Sequence, residues 1–304
     1  MVAITTGNHP KALWPGVHKF GMGTYRDFDW QYPEFFTVKQ SKMAREEMVE
    51  ETGFGLAQVK AEGAQFAFDT HQQGYTAIWR AVTYALGYAV TEEEIEDNLY
   101  ESKAKGRVAK LARSFRQTKE TIAANVLNNG FTAGAFAGAD GSALLATDHA
   151  TLSGNQSNKL AVAADLSEAA LEDILIDISQ ATDSRGLKAN LMGRKLIVPP
   201  ELVYDATRIL RSELRVGTDF NDVNAMKNLG RLPEGHCVVN YLNDPDAWFI
   251  KTDAEDGLTM FERVPYDIKR DNDFGTGNAL TKGRERYSVN WLEWRDVYGS
   301  EGAA

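Results

Sequence analysis

The chain has 304 residues, with 33 Lys and Arg against 43 Asp and Glu, a formal charge of −10, and 43% hydrophobic residues. This composition excludes a disordered chain and supplies the core of one large or two modest domains. The single cysteine, Cys237, excludes an intrachain disulfide framework and a thiol-based structural zinc site.

The first thirty residues mix Gly, Pro, His and aromatics without a period, which predicts an extended arm and no packed element. They lack a basic segment followed by an apolar core, so no signal peptide is expected. The longest uncharged run, 121–139, is broken by Asn and Gly, so no membrane span is expected either. A soluble intracellular protein is the simplest expectation. Between Phe35 and Val59, the charges Lys39, Lys42, Arg45, Glu46, Glu47, Glu50 and Glu51 predict an exposed excursion. Gln65-Phe66-Ala67-Phe68-Asp69 predicts a strand. So does 75–90, with Ile78, Val82, Tyr84 and Tyr88.

Thr91-Glu92-Glu93-Glu94 is a capping box that opens a long helix. Acid crowds its first turns (Glu92, Glu93, Glu94, Glu96, Asp97), where the helix dipole favours it. Lys103, Lys105, Arg107, Lys110, Arg113, Arg116 and Lys119 follow. Ile95, Leu99, Val108, Leu111, Phe115, Ile122 and Val126 form a sparse apolar stripe, and Asn128-Asn129-Gly130 supplies the stop. Such a helix would span roughly 55 Å, with Gly106 its weak point.

Beyond Phe131 the texture is compact α/β. Asp165 or Ser167 caps a helix with Leu171, Ile174, Leu175 and Ile178 on one face, ended by Ser184-Arg185-Gly186. Lys195-Leu196-Ile197-Val198 predicts a buried strand, and Pro199-Pro200 opens a helix carrying Leu202, Val203, Ala206, Ile209 and Leu210. Further strands are expected at 237–241, 248–251, 258–264 and 287–294.

No motif supports catalysis, and no cofactor is expected. There is no Walker-type loop, and Gly53-Phe54-Gly55 and Gly275-Thr276-Gly277 lack the rest of a dinucleotide fingerprint. No Gly-x-Ser-x-Gly elbow occurs. His236 and Cys237 point to opposite faces of a strand, which opposes a dyad and makes Cys237 a buried apolar residue. The five histidines form no metal pair at i and i+4. Asp148-His149 is read as a turn-stabilising pair, with a hydrolase site as the alternative. Asp271-Asn272-Asp273-Phe274-Gly275 is part of a calcium loop without its distal Glu, and is read as a solvated turn.

The basic run on the long helix is read as a solvated or intersubunit ion-pair face. Residues 1–130 hold 15 basic and 16 acidic side chains, and 131–304 hold 18 and 27, so the excess acid lies in the second part. That sign disfavours tight or sequence-specific DNA binding, which draws on phosphate neutralisation. An arm and a charged protrusion without chemistry point to assembly with neighbouring subunits.

Several ordered motifs carry a resemblance. They are Asp140-Gly141-Ser142-Ala143-Leu144-Leu145-Ala146-Thr147-Asp148-His149, Ala164-Asp165-Leu166-Ser167-Glu168-Ala169-Ala170-Leu171-Glu172 and Leu196-Ile197-Val198-Pro199-Pro200-Glu201-Leu202. Asn221-Asp222-Val223-Asn224 and Asn240-Tyr241-Leu242-Asn243-Asp244-Pro245-Asp246-Ala247-Trp248-Phe249 follow, and Leu86-Gly87-Tyr88-Ala89-Val90-Thr91-Glu92-Glu93 precedes them. In order and spacing the chain resembles the major capsid proteins of tailed bacteriophages, specifically the Mu-like major head subunits. Related sequences often carry a proline just before the Leu-Val-Val-Pro-Pro strand, where this chain has Gly193-Arg194-Lys195.

The resemblance implies an α+β chain with the Hong Kong ninety-seven phage capsid fold. Residues 1–30 would be its N-terminal arm and 31–90 an extended loop lying across a neighbour. Residues 91–144 and 266–304 would be a peripheral domain with a long spine helix, and 145–265 an axial domain. It implies a non-enzymatic subunit that forms hexamers and pentamers of an icosahedral shell. That shell encloses double-stranded DNA without sequence-specific binding and without a membrane. A separate scaffolding protein, a portal and a decoration protein are the implied partners, with assembly in the host bacterial cytoplasm. A nanocompartment shell of the same fold, enclosing an enzyme, is the alternative.

Assembly contacts are expected at Lys39, Lys42, Arg45, Glu46 and Glu47 of the loop and at Arg107, Lys110, Arg113 and Arg116 of the spine. Some relatives weld subunits by Lys–Asn isopeptide bonds. Nothing marks Lys39, Lys42 or Lys60 for that chemistry, and no crosslink is expected. Phe115 and Ile122 should face the sheet beneath the spine, and removal of 31–75 should spare the axial fold.

Overall fold

The computed structural model describes residues 10–96, 100–134, 136–214, 223–273 and 275–303. Residues 1–9 of the expected arm, Asp97 and Leu99 of the long helix, Asn221-Asp222 and Phe274 lie outside the described residues. Two four-stranded sheets and one long helix organise the chain.

The first sheet is built on a long antiparallel hairpin, β10 (Thr259–Asn272) and β11 (Ala279–Asn290). β4 (Val82–Val90) pairs antiparallel with β11, and β1 (Thr37–Gln40) pairs parallel with β10. In β11, Ala279, Thr281, Gly283, Glu285 and Tyr287 are buried while Leu280, Lys282 and Arg284 are exposed, so one face is packed and the other open.

The packed face carries the predicted long helix. Glu92–Glu96 (α2) and Tyr100–Asn128 (α3) form it on either side of 97–99, and the 29 residues of α3 alone span about 44 Å. Val108, Leu111, Ala112 and Phe115 of α3 pack on Val90, Tyr266, Ile268 and Ala279. A Cβ on Gly283 would lie 2.6 Å from the Phe115 ring and 2.9 Å from the Tyr266 ring, so the glycine is what lets the rings reach the sheet. Ile122, in contrast, is half-exposed on the flank of α3 and belongs to none of the cores.

The expected extended arm is instead a helix, α1 (Pro10–Arg26), packed on α3 and β10. Glycines 16, 21 and 23 argued against a helix, but tertiary packing outweighs that propensity. Gly21 lies against Val108 and Ile268, where a Cβ would sit 2.8 Å from Ile268 Cδ1. One turn on, Tyr25 stacks on Tyr266 with centroids 4.5 Å apart.

The second sheet has the order β12 (Val297–Ser300), β9 (Trp248–Thr252), β7 (Gly193–Val198), β8 (His236–Val238). Helix α4 (Glu168–Gln180) covers it with Leu171, Ile174, Leu175 and Ile178, packed on Leu196, Val198, Trp248, Ile250 and Tyr298. Ser167 is its N-cap, accepting from the Ala170 N–H at 3.1 Å. Helices α5 (Val203–Arg211) and α6 (Ala225–Leu229) close that core with Ala206 and Met226.

A third core joins the two sheets. The last turns of α3 (Ala123, Ala124, Val126, Leu127) meet Ile197, Phe249 and Val297 of the second sheet and Met260 of the first. Tyr32, Phe35 and Phe36 pack into the same cluster.

Four assignments change as a result. β12 lies in the second sheet, so 266–304 does not wholly close the spine sheet. β1 and β4 belong to the spine sheet and not to the loop. Tyr32, Phe35 and Phe36 make 31–36 part of the core, so removal of 31–75 would gut it. Residues 65–69 form no strand: Phe66 and Phe68 are exposed, and no β-ladder joins them to the opposite arm, with its glycines at 53 and 55.

A polar cluster lies under α1 and α3. Glu285, 1% exposed, accepts from the Tyr25 hydroxyl at 2.9 Å through Oε2, while among the described residues Oε1 has no partner. Lys119 forms a close ion pair with Glu262 and sits over the Tyr32 and Tyr287 rings at 5.1 and 5.3 Å. Glu120 accepts the Gln31 and Tyr32 N–H groups at 2.8 and 3.1 Å. Burial pushes Glu285 up to about 7, against the opposing pull of Lys119 and Tyr25.

Phe115→Asp should lower stability by several kcal/mol through an unpaired buried charge, measured by denaturant melts of the soluble subunit. A wild-type midpoint would contradict this packing. Glu285 gives a pH-dependent expectation. Its raised value means that its contribution is complete below the ordinary carboxyl value of 4.5 and is lost as pH rises through about 7. Glu285→Gln should therefore flatten the loss of stability between pH 5 and pH 8, an effect on the order of 3 kcal/mol. Identical pH profiles of the two proteins would refute it.

Candidate functional site: the assembly surfaces

β2 (Arg45–Glu51) and β3 (Gln73–Arg80) form a separate two-stranded ribbon, registered from Arg45↔Arg80 to Glu51↔Gln73. Its root is fixed to the first sheet. Trp79 is buried, donates Nε1–H to the Thr259 carbonyl at 3.0 Å and packs edge-on against Phe261. Asn290 Nδ2 donates to the Ile78 carbonyl at 3.0 Å. The ribbon closes at Thr52, whose N–H and hydroxyl both donate to the Gln72 carbonyl, at 3.0 and 2.9 Å. Beyond it, 53–71 is exposed throughout, including Phe54, Leu56, Val59, Phe66 and Phe68. Apolar side chains this exposed, on a segment this long, have no core of their own to join.

The nine expected assembly residues fall on two surfaces. On the loop side, Lys39 Nζ reaches Asp256 at 3.2 Å, and Lys42 is exposed in the turn that follows β1. Arg45 pairs with Glu47, and Glu46 accepts from the Ser41 hydroxyl at 2.5 Å. On the spine, the Glu94 N–H donates to Thr91 Oγ1 at 3.3 Å, as a capping box requires. The Glu94 carboxylate takes both guanidinium nitrogens of Arg107, at 3.0 and 2.6 Å. Lys110 and Arg113 are exposed, and Arg116 lies over the Phe28 ring at 3.8 Å. The first group is thus carried by the ribbon and its approach, the second by α3.

His149 is fully buried and Asp148 is exposed, so the pair forms no site. His149 instead turns inward. Its Nδ1 lies 2.5 Å from Asp140 Oδ2, its Nε2 lies 3.2 Å from Asn158 Oδ1, and its ring stacks on Trp294 at 4.1 Å and 2°. Asn158 Nδ2 donates to the carbonyls of Leu144, Trp294 and Val297 at 2.7, 3.1 and 2.9 Å. Burial opposes ionisation of Asp140, yet the hydrogen bond and charge of His149 hold its carboxyl below the ordinary value. This is a knot tying 140–158 to the end of the chain, and the hydrolase alternative falls with it. The nine-residue spacing of Asp140 and His149 was visible in the sequence, but Trp294 and Asn158 were not visible as their partners.

Cys237 is half-buried, not fully buried as expected, and burial pushes its thiol up to about 12. Asp273 caps the β10–β11 turn, accepting from the Gly275 N–H at 3.1 Å and the Thr276 hydroxyl at 2.7 Å. Among the described residues, no three His, Cys, Asp or Glu side chains are grouped to hold a metal. Among them, too, no helix is long and apolar enough to cross a membrane.

The family model for phage capsid proteins matches residues 74–300. Among solved structures, the chain is similar to that of Mycobacterium phage Adephagia, with 11% identity, 100% of this chain and 99% of that one covered, and a TM-score of 0.54. It is similar to the procapsid of bacteriophage JBD30, with 12% identity, 99% and 77% covered, and a TM-score of 0.53. It is also similar to the virus-like particle from Pyrococcus furiosus, with 10% identity, 94% and 98% covered, and a TM-score of 0.52. No curated protein matches in sequence. With three quarters of its length matched, the chain belongs to the phage capsid protein family and has the Hong Kong ninety-seven capsid fold.

Proposed function

We propose that the chain is the major capsid protein of a tailed double-stranded DNA bacteriophage. It is a structural subunit that assembles through hexamers and pentamers into an icosahedral shell around the genome. The observation that carries this reading is the ribbon with its exposed apolar loop 53–71, rooted on the first sheet and unsatisfied within its own chain. In this reading 53–71 is the working part of the extended loop and lies across a neighbouring subunit. The spine α3 and the first sheet form the peripheral domain, and the second sheet with α4 to α6 forms the axial domain around capsomer centres. The ordered motifs of 140–265 support a Mu-like head. A separate scaffolding protein, a portal and a decoration protein complete the assembly, in the cytoplasm of a bacterial host.

The likeness to the virus-like particle from Pyrococcus furiosus favours one second reading, a nanocompartment shell. The contents of purified particles separate the two: DNA supports the phage head, and a co-purified enzyme without DNA supports the compartment.

Deleting 53–71 and joining Thr52 to Gln72 through a short Gly-Ser link should leave a folded subunit with a near-normal melting temperature, because those two residues are already bonded. Closed shells should be lost, as read by electron microscopy after co-expression with the scaffolding gene. Normal particles would refute the loop's role. Denaturing electrophoresis of mature particles should show one monomer band, since Lys39 is engaged by Asp256 and Lys60 lies over the Phe66 ring at 5.0 Å. A ladder of covalent oligomers would overturn that.

A further inference from the structure

The turn that follows α4 is built to hold something. Asp183 Oδ1 accepts the N–H groups of Arg185 and Leu187 at 2.9 and 2.8 Å, and the Asp183 N–H donates to the Leu187 carbonyl at 2.7 Å. Gly186, at φ +87°, completes a bend that an L side chain would strain. This turn belongs to the second-sheet half, more than a hundred residues along the chain from the loop.

From that platform Arg185 reaches both arms of the loop. Its Nη1 donates to the Gly53 carbonyl at 3.0 Å on one arm and to the Thr70 carbonyl at 3.3 Å on the other. Its fork also meets the Asp69 carboxylate through two bonds, at 2.8 and 3.2 Å. Asp69 accepts the Gly55 N–H at 2.7 Å and the Thr70 N–H at 2.8 Å, so the carboxylate bridges the arms as well. Next to this, Ser184 donates to Glu50 of β2, and the Tyr75 hydroxyl of β3 donates to the Ala150 carbonyl at 2.9 Å.

An exposed ion pair alone contributes little. Here the arms have left the β2–β3 ladder at Thr52 and Gln72, and the guanidinium, with the Asp69 carboxylate it holds, joins them to each other and to the body. A planar fork with five donors can satisfy two carbonyls and a carboxylate together, which a lysine ammonium on its single point charge cannot.

We propose that Arg185 is the positioning residue of the protruding loop: it fixes the direction in which 53–71 leaves its own subunit and therefore where it meets the next one. The inference rests on the reading of 53–71 as the part that engages a neighbour. The hydrogen bond from Arg185, followed by those from Gly55 and Thr70, holds Asp69 down at about 2. The sign is that of a depressed carboxyl: the clasp is complete above about pH 4 and fails only as pH falls through about 2.

The test uses the full chain with Arg185→Ala and Arg185→Lys. In the unassembled subunit, hydrogen exchange should show that peptides covering 53–72 lose protection in both variants, while the peptides of α3, α4 and both sheets keep it. In co-expression with the scaffolding gene, Arg185→Ala should yield open or misshapen particles although the subunit is folded and soluble. Asp69→Ala should reproduce both effects, and the double variant should add nothing further. Unchanged exchange over 53–72 in Arg185→Ala overturns the clasp. Lost protection with normal particles overturns the positioning role. The 53–71 deletion is the control that separates the two levels: normal particles from it remove the loop reading and this inference together, whereas unchanged exchange in Arg185→Ala removes the clasp alone.

Discussion

Helix α3 belongs to two hydrophobic cores at once. Its Val108–Phe115 stretch packs on the first sheet, and its Ala123–Leu127 stretch packs in the core that joins both sheets. A rod buried at two separate stretches of its length cannot tilt relative to either sheet without opening one of them, because packed interiors leave no slack. Other elements take their place from it. Helix α1 lies on it through Gly21, the segment after α1 is tied to it through Glu120, and the strand that carries Glu262 is tied to it through Lys119. The segment around 294–297 is tied in too, since the Asp140–His149–Asn158 knot hangs the connection after α3 on Trp294 and Val297.

What this frame leaves out is as informative as what it holds. The three cores collect the large apolar residues of the second sheet and many of the first, whose Val38, Val82, Leu86 and Leu280 stay exposed, and five more sit in the open between residues 54 and 68. A chain that buries Trp79 and Phe35 almost completely has the means to bury Phe68, if folding of one subunit were the only requirement. The loop is kept out by its root: Trp79 and Asn290 fix the ribbon to the edge of the first sheet, and Arg185 directs what lies beyond it. The apolar surface therefore faces out of the subunit, where the proposed reading has it meet a neighbour.

Much of the fold was legible because its signals are local. The capping box at Thr91, the Ser167 cap and the Pro199-Pro200 opening each depend on residues within a few positions of one another, whereas the strand expected at 287–294 is only the end of β11, which runs from Ala279 to Asn290. The signals that failed were those whose partners are distant. Glycines in 10–26 obscured α1, because the reason for Gly21 lies in Val108 and Ile268. Phe66 and Phe68 suggested a strand because composition does not reveal that no ladder partner exists. The nine charges expected at assembly contacts sit on the loop and spine, and the structure gives several of them partners within the chain. Arg185, seen only as part of a helix stop, reaches residues more than a hundred positions away. The motifs that carried the family resemblance do have a physical basis. Asp140 and His149 form the buried knot, Ser167 is a cap, Asn224 holds the Ile209 and Ser212 carbonyls at 2.6 and 3.1 Å, and Trp248 fills a core while donating to Ala164 at 3.0 Å.

The charge distribution follows the same logic. Ion pairs run both ways between the near-neutral first 130 residues and the acidic remainder: Lys39 with Asp256 and Lys119 with Glu262 in one direction, Glu34 with Lys195 and Asp69 with Arg185 in the other. These four pairs join the two parts without altering the formal charge of either, so the second part keeps its surplus of nine acidic groups over basic ones. Cations committed to internal pairs are not available to phosphates, and the surplus acid repels them at ranges set by the Debye length, about 8 Å at physiological salt. A subunit that encloses a densely packed polyanion needs a wall that does not trap it. Under the proposed reading of a genome-enclosing subunit, Lys39, Lys119, Lys195 and Arg185 are four cations already engaged within the subunit and so less free to hold DNA.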